Sequence, residues 1–245
     1  MNSKNKIIYI KDWINNYVVN MPNPAKSLVI GISGGIDSSV SSTLSAMTGL
    51  RTIVLSMPIK QKSEQHDLSL RHQEWLISKF KNVEAHTIKL DKLFSSFYSS
   101  LSKFDNEHGM ANSRARLRMT TLYQVAASNK GIVVGTGNKV EDFGVGFYTK
   151  YGDGGVDISP IADCNKTEVW KMGKELGILK KIIEAAPTDG LWDDGRTDEG
   201  QLGLKYEELE EAMNNVNSIN REKYEKIRKM NLHKMEPIPV CKIPN

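Results

Sequence analysis

The chain is 245 residues long, 39% hydrophobic and 25% charged, with 19 glycines and a formal net charge of +4. This length holds one large α/β domain, and the balance of apolar and charged residues excludes a disordered or repetitive chain. No apolar run is long enough for a membrane-spanning helix, and the modest positive charge favours anionic partners without choosing among nucleic acid, nucleotides and phosphorylated metabolites.

The first predicted element is a helix over 7–19, where Ile7, Ile10, Ile14, Tyr17 and Val18 share a face with Trp13 beside it. Met21-Pro22-Asn23-Pro24 stops it. The apolar run 28–32 predicts a strand buried on both faces. A turn at Ser33-Gly34-Gly35 follows, then a helix from about Asp37 to Thr48 and a second strand from Arg51 to Met57. Leu68, His72, Trp75, Leu76 and Phe80 recur at helical spacing, His86 to Leu90 predicts a third strand, and Leu93, Phe97 and Leu101 mark another helix. A helix over 115–129 leads into the strand 131–135. Strands alternating with helices of this length predict a doubly wound parallel sheet with helices on both faces. Beyond residue 140 the glycine-rich stretch 143–160 predicts loop, 165–176 helix and 186–203 a polar, acidic loop. Tyr206, Leu209, Met213 and Val216 open a helical C-terminal part that ends in a proline-rich segment.

The strongest local signal is Gly31-Ile32-Ser33-Gly34-Gly35-Ile36-Asp37-Ser38-Ser39, set between a strand and a helix. Adjacent glycines let backbone approach a phosphate, and the following helix aims its unpaired N–H groups and dipole at the same point. Neither a Walker A lysine nor the dinucleotide fingerprint is present. Asp37 at this helix start would be repelled by a polyphosphate unless a cation lay between them, which points to Mg²⁺. The plainer alternative is a tight turn with a capping carboxylate. In a doubly wound sheet the loop after 131–135 faces the same crevice. It offers the Thr136 hydroxyl and Glu141 as a second carboxylate for the metal.

The order Ser-Gly-Gly-x-Asp-Ser resembles the loop of the N-type ATP pyrophosphatases, and further motifs narrow the resemblance. These are Asn112-Ser-Arg-Ala-Arg-Leu-Arg-Met119, Gly135-Thr136 with Glu141, Gly146-Phe-Tyr-Thr-Lys-Tyr-Gly-Asp-Gly-Gly155, Asn165-Lys166-Thr167-Glu168, Ala186-Pro187-Thr188, Asp198-Glu-Gly-Gln-Leu-Gly203 and Leu232-His-Lys234. In this order, over nearly the whole chain, they are similar to the ammonia-dependent NAD synthetase family.

The resemblance implies ATP-dependent amidation of deamido-NAD with ammonia through an adenylate. It implies that Gly31, Ile32, Ser33, Gly34, Gly35, Ile36, Asp37 and Ser38 hold the ATP phosphates, with Thr136, Lys166 and Thr188 also on ATP. Asp37 and Glu141 would bind Mg²⁺; Arg116, Lys150, Asp157, His233 and Lys234 would contact deamido-NAD; Asp153 would sit near the ammonia position. It further implies a homodimer whose dinucleotide site uses both subunits. Taken singly, these lysines, carboxylates and the His233-Lys234 pair also read as surface charge, turn residues and helix-end charge.

The pattern has two departures: the stretch from Glu141 to Gly146 is one residue longer than expected, and Pro187-Thr188-Asp189 lacks an Ala before its acidic residue. Glutamine-using relatives carry an amidase domain for which this length leaves no room, so a single domain over 1–245 using free ammonia is expected. Lys11 and Asp12 interrupt any signal-peptide core, and two cysteines without a shared motif, Cys164 and Cys241, fit a reducing cytoplasm. Neither nucleic acid nor membrane is expected as a partner.

Overall fold

The structure, a computed structural model, describes residues 1–61, 63–188, 190–192 and 196–244, without the side chains of 63–65. Helix α1 (Ser3–Val19) precedes strand β1 (Ser27–Gly31), and α2 (Ile36–Met47), β2 (Thr52–Ser56), α3 (Ser63–Lys79) and β3 (Val83–Thr87) complete two crossovers. The chain then returns through α4 (Asp91–Ser100) and α5 (Glu107–Ser128) to β4 (Gly131–Val133). All pairings are parallel and the order is β3-β2-β1-β4. The strand order therefore reverses between β1 and β4, where the expected crevice opens.

Alternation along the strands divides the core. Leu28 and Ile30 of β1, with Ile132 and Val134, pack on α1, α2 and α6 (Lys166–Glu175). Val29, Ile53, Leu55 and Val133 face the other way, onto Leu90, Phe94, Met119 and Leu122 of the α4–α5 side. Side chains of a strand alternate between faces, so a run apolar at every position needs helices on both. The predicted face of α1 holds for Ile7, Ile10, Ile14 and Val18, which are buried within this chain, whereas Tyr17 and Trp13 are 43% and 38% exposed.

Three boundaries differ from expectation. Strand β3 lies at 83–87 rather than 86–90, because its register runs from Thr52↔Val83 to Ser56↔Thr87. Ile88 and Leu90 are apolar because they pack at the entry to α4. Helix α5 begins at Glu107, well before 115, since Asn106 caps it by accepting from the Gly109 amide at 2.7 Å; the polar residues and glycine of this first turn concealed it. The stretch 143–160 predicted as loop takes in the end of a π turn, Lys139–Val145, and Ile158, which bridges in parallel to Val134 beyond β4. A π turn takes one more residue than an α turn, and this one covers the stretch after Glu141 that the resemblance leads one to expect shorter.

The C-terminal part comprises α7 (Lys180–Ile183), α8 (Asp198–Leu202), α9 (Tyr206–Asn214) and α10 (Arg221–Met235). Tyr206, Leu209, Ala212 and Tyr224 pack with Val140 and Val145 in a separate small core. This core fixes the π turn from behind, so the helical tail supports the site rather than merely following it. Val216, expected on the apolar face, is 73% exposed after α9 has ended. Among the described residues no helix is long and apolar enough to cross a membrane.

Candidate active site

The loop after β1 is held in shape by its own residues. Gly34 has φ 91°, in the left-handed region that favours glycine. The Gly35 amide donates to Ser33 Oγ at 3.1 Å, and the hydroxyls of Ser38 and Ser39 donate to the Gly35 carbonyl at 3.0 and 2.9 Å. These serines shape the turn, and Ser39, fully buried, is no ligand-facing donor as its type alone would allow. Gly35 caps α2 without a side-chain bond, leaving the first amides of the helix open toward the crevice.

Across the crevice, Asn138 caps the π turn, its Oδ1 accepting from the amides of Val140 and Glu141 at 3.0 and 3.1 Å. Its amide nitrogen donates to Asp37 Oδ1 at 3.1 Å and so ties the two loops together. Lys166, at the start of α6, enters from a third direction. Its ammonium, 2% exposed, lies 2.6 Å from Asp37 Oδ2 and 2.9 Å from Glu141 Oε1. Tyr206 donates to the same Glu141 oxygen at 2.6 Å.

Charge follows from this geometry. Burial raises Asp37 above the ordinary carboxylate range, outweighing the opposing pull of Lys166. Burial also pushes Glu141 upward, but Lys166 and the hydrogen bond from Tyr206 overcome it and hold Glu141 low. Burial opposes the Lys166 charge, yet its two carboxylates keep it raised and protonated. Burial, then Glu141 and Asp198, raise the Tyr206 phenol, which stays a donor. Asp142 is raised well above its usual value by burial and then by Glu141, Asp153 and Asp37. The crevice thus gathers Asp37, Glu141 and Asp142 beside the uncapped start of α2.

A cavity of about 260 Å³ joins these groups. It is lined by Gly31 through Ser38, and by Thr136, Glu141, Asp153, Lys166 and Thr188, so every residue expected to touch ATP or metal borders one space. Asp153 accepts from the Thr149 amide at 3.1 Å, which shapes the turn that carries it. The acidic loop expected to close over the site falls partly on Asp189 and residues 193–195, outside the described residues; Thr188, Gly190 and Leu191 beside them line the cavity.

The residues expected to contact deamido-NAD do not line this cavity. Arg116, exposed on α5, donates to the Lys150 carbonyl at 3.3 Å, and Lys150 donates to the His233 carbonyl at 3.0 Å. Lys234, whose charge burial disfavours, donates to the Tyr148 carbonyl at 2.8 Å. The Arg116, Lys150 and Lys234 side chains thus join α5, the 148–150 turn and α10 through backbone carbonyls, that of His233 among them. Asp157 stands apart from them: its oxygens accept from the Val133 amide at 2.7 Å and the Tyr123 hydroxyl at 3.1 Å, which fixes the end of β4.

Sequence reasoning gave no site role to Asn138, Asp142, Asp198 or Tyr206, although Asp198 opens one of the motifs. Asn138 had a signal, since Asn before a helix start is a capping residue. Tyr206 had none, because the first apolar position of an amphipathic helix is ordinarily core.

Fold and cavity together define a parallel α/β nucleotide-binding protein with a glycine-rich anion loop facing a carboxylate-bearing loop across the sheet's switch point. The model of the NAD synthase family matches residues 6–243, and the chain belongs to that family. It is 38% identical over 240 residues to an NH(3)-dependent NAD(+) synthetase of Mesoplasma florum, covering 96% of this chain and 93% of the relative. A synthetase of the same description from Carboxydothermus hydrogenoformans is 38% identical over 191 residues, 76% of each chain. Among solved structures, an NMN synthetase from Francisella tularensis superposes with a TM-score of 0.91 at 32% identity, over 99% of this chain and 100% of its own.

Proposed function

We propose that this chain is a carbon–nitrogen ligase that converts the nicotinate carboxylate of deamido-NAD into the amide of NAD, using ATP and ammonia. A carboxylate resists attack because its charge repels nucleophiles and oxide is a poor leaving group. In the first step a carboxylate oxygen bonds to the α-phosphorus of ATP as the bond to the β-phosphate oxygen breaks, releasing pyrophosphate and leaving a mixed anhydride. Ammonia then bonds to the carbonyl carbon, AMP leaves, and the excess proton passes to solvent or a carboxylate.

The observation that carries this reading is the meeting of the anion loop, Asp37, Glu141 and Lys166 in one cavity. Transfer of this kind depends on alignment and charge neutralisation more than on a protein nucleophile. The α2 amides and the Ser33–Ser38 loop would seat the phosphates, with Thr136, Lys166 and Thr188 beside them. Asp37 and Glu141 fit a divalent cation: they are two carboxylates already spanned by one cationic group, the Lys166 ammonium, and Mg²⁺ is typically held by one or two carboxylates plus substrate phosphates. When bound, Mg²⁺ would neutralise phosphate charge there.

Arg116, Lys150, His233 and Lys234 form a basic surface for the dinucleotide, and an arginine fork suits its pyrophosphate or carboxylate. Asp157 contacts the dinucleotide in this reading only by turning from its present partners. Asp153, at the cavity wall, positions the ammonium ion. The working unit is a cytoplasmic homodimer in which both subunits contribute to the dinucleotide site. Mixing the protein with deamido-NAD, ATP, Mg²⁺ and ammonium and detecting NAD and AMP by mass tests the whole reading; binding without AMP or pyrophosphate release refutes it.

The full-length overlap with an NMN synthetase favours a second reading of the acid alone, in which the mononucleotide replaces the dinucleotide. The ATP chemistry is the same in both. Comparing kcat/KM for the two nicotinate acids separates them.

A further inference from the structure

Tyr206 opens α9 and is fully buried. Its ring meets Trp170 edge-on, with centroids 5.8 Å apart, and the Lys166 ammonium lies 4.7 Å from its centroid. With the ring so confined, the hydroxyl has one accessible position. It lies 2.6 Å from Glu141 Oε1 and 3.2 Å from Asp198 Oδ2. A phenol carries a single proton, and the shorter contact receives it. Glu141 Oε1 therefore accepts from both Tyr206 and Lys166, two donors rooted in different helices.

The backbone adds a second anchor. The Tyr206 amide donates to Glu199 at 3.1 Å, and the Asp198 amide donates to the Pro187 carbonyl at 3.1 Å. The same phenol thus stands between Glu141 and the chain that carries Thr188 into the cavity. Two of the three donors of the Lys166 ammonium go to Asp37 and Glu141, so a phosphate that draws the ammonium toward itself weakens its hold on both. At that moment the Tyr206 hydroxyl remains to hold Glu141.

We propose that Tyr206 is a positioning residue, its hydroxyl fixing the Glu141 carboxylate in the orientation that receives the divalent cation. This rests on the reading of Asp37 and Glu141 as the cation's ligands. Partners that hydrogen-bond a metal ligand commonly change metal affinity by about 10- to 100-fold when removed. Tyr206→Phe keeps the ring and deletes one oxygen.

The test is Mn²⁺ affinity, read by electron paramagnetic resonance in the presence of an α,β-methylene ATP analogue. Tyr206→Phe weakens it by about tenfold, and the Mg²⁺ needed for half-maximal rate rises by the same factor, while the KM for the nicotinate acid is unchanged. In a Glu141→Gln background the Tyr206→Phe change has no further effect on Mn²⁺. Unchanged Mn²⁺ affinity in Tyr206→Phe overturns the proposal, as does a loss of rate that excess Mg²⁺ leaves unmoved. A measurement on the native protein avoids any folding defect of the variant: the ring Cζ resonance of Tyr206 moves when Mg²⁺ is added with the analogue, and a stationary resonance at saturation also overturns the proposal. Native protein that binds Mn²⁺ with the analogue but makes no amide removes the proposed reaction and leaves the role of Tyr206 standing.

Discussion

Asp37 and Glu141 leave different strands of the sheet yet share one ammonium group, that of Lys166. The sharing depends on β1 and β4 being neighbours, which places their two loops at one edge. Gly131 permits that closeness: a Cβ there would lie 2.7 Å from the Ser27 carbonyl oxygen.

Removing the ammonium leaves two partly buried carboxylates facing each other. Losing one partner of a buried pair commonly costs about 3–5 kcal/mol, and the 17% and 15% side-chain exposure of Asp37 and Glu141 places Lys166→Met near the lower end. Urea unfolding measures it. Added Mg²⁺ restores part of the loss in Lys166→Met and changes the native protein less. Equal Mg²⁺ effects on both would contradict the proposed shared site.

Asp37→Asn keeps the shape of the carboxylate and its bond to Asn138 can re-form with the amide oxygen. The fold survives, seen as an unchanged circular dichroism spectrum, while turnover falls by at least about a hundredfold, in line with loss of one strong electrostatic contact to the reacting charge. Near-normal turnover at saturating Mg²⁺ would remove Asp37 from the metal.

Arg116 is exposed and gives its Nε only to a carbonyl at 3.3 Å, a long bond. Its removal should leave the thermal midpoint within a degree or two, since exposed changes rarely exceed about 0.5 kcal/mol. The KM for the nicotinate acid rises about tenfold or more in Arg116→Ala, with the KM for ATP unchanged. An unaltered KM for the acid argues that the basic surface serves something else.

Burial on the far side of α2 lowers His72 to about 4, against about 6.5 in the unfolded chain. Between these values the unfolded chain holds the additional proton, so stability is complete above about pH 6.5 and falls as pH drops toward 4. The contribution is roughly 3 kcal/mol over that window. His72→Gln, which can still bond the Ser42 hydroxyl that now meets His72 Nε2 at 3.0 Å, flattens this part of the profile. Matching profiles for variant and native protein would exonerate His72.

The sheet and its crevice were legible because runs such as 28–32 are apolar at every position, which only a strand covered on both sides requires. Ser33-Gly34-Gly35 was legible for a related reason: a glycine pair between strand and helix has few uses. Strand β3 was misplaced because an edge strand is buried on little of its surface, as Glu84, His86 and Thr87 show, and so leaves a faint pattern. The start of α5 was hidden by Gly109 and Asn112, poor helix formers held there because the Gly109 amide meets the Asn106 cap and Asn112 accepts from the Thr149 hydroxyl. Asp37 and Glu141 could be paired by topology. Tyr206 could not, because the bond that brings it to Glu141 belongs to the packing of a C-terminal core invisible in local sequence.

The π turn at Lys139–Val145 has a bearing on how relatives are compared. One widened turn absorbs a residue, and Gly146, at φ 66°, sends the chain back on its course toward Tyr148. An ordinary α turn would span the same stretch with one residue fewer. Were a relative one residue shorter between Glu141 and Gly146, its gap would belong inside this turn and not in the glycine-rich loop that follows.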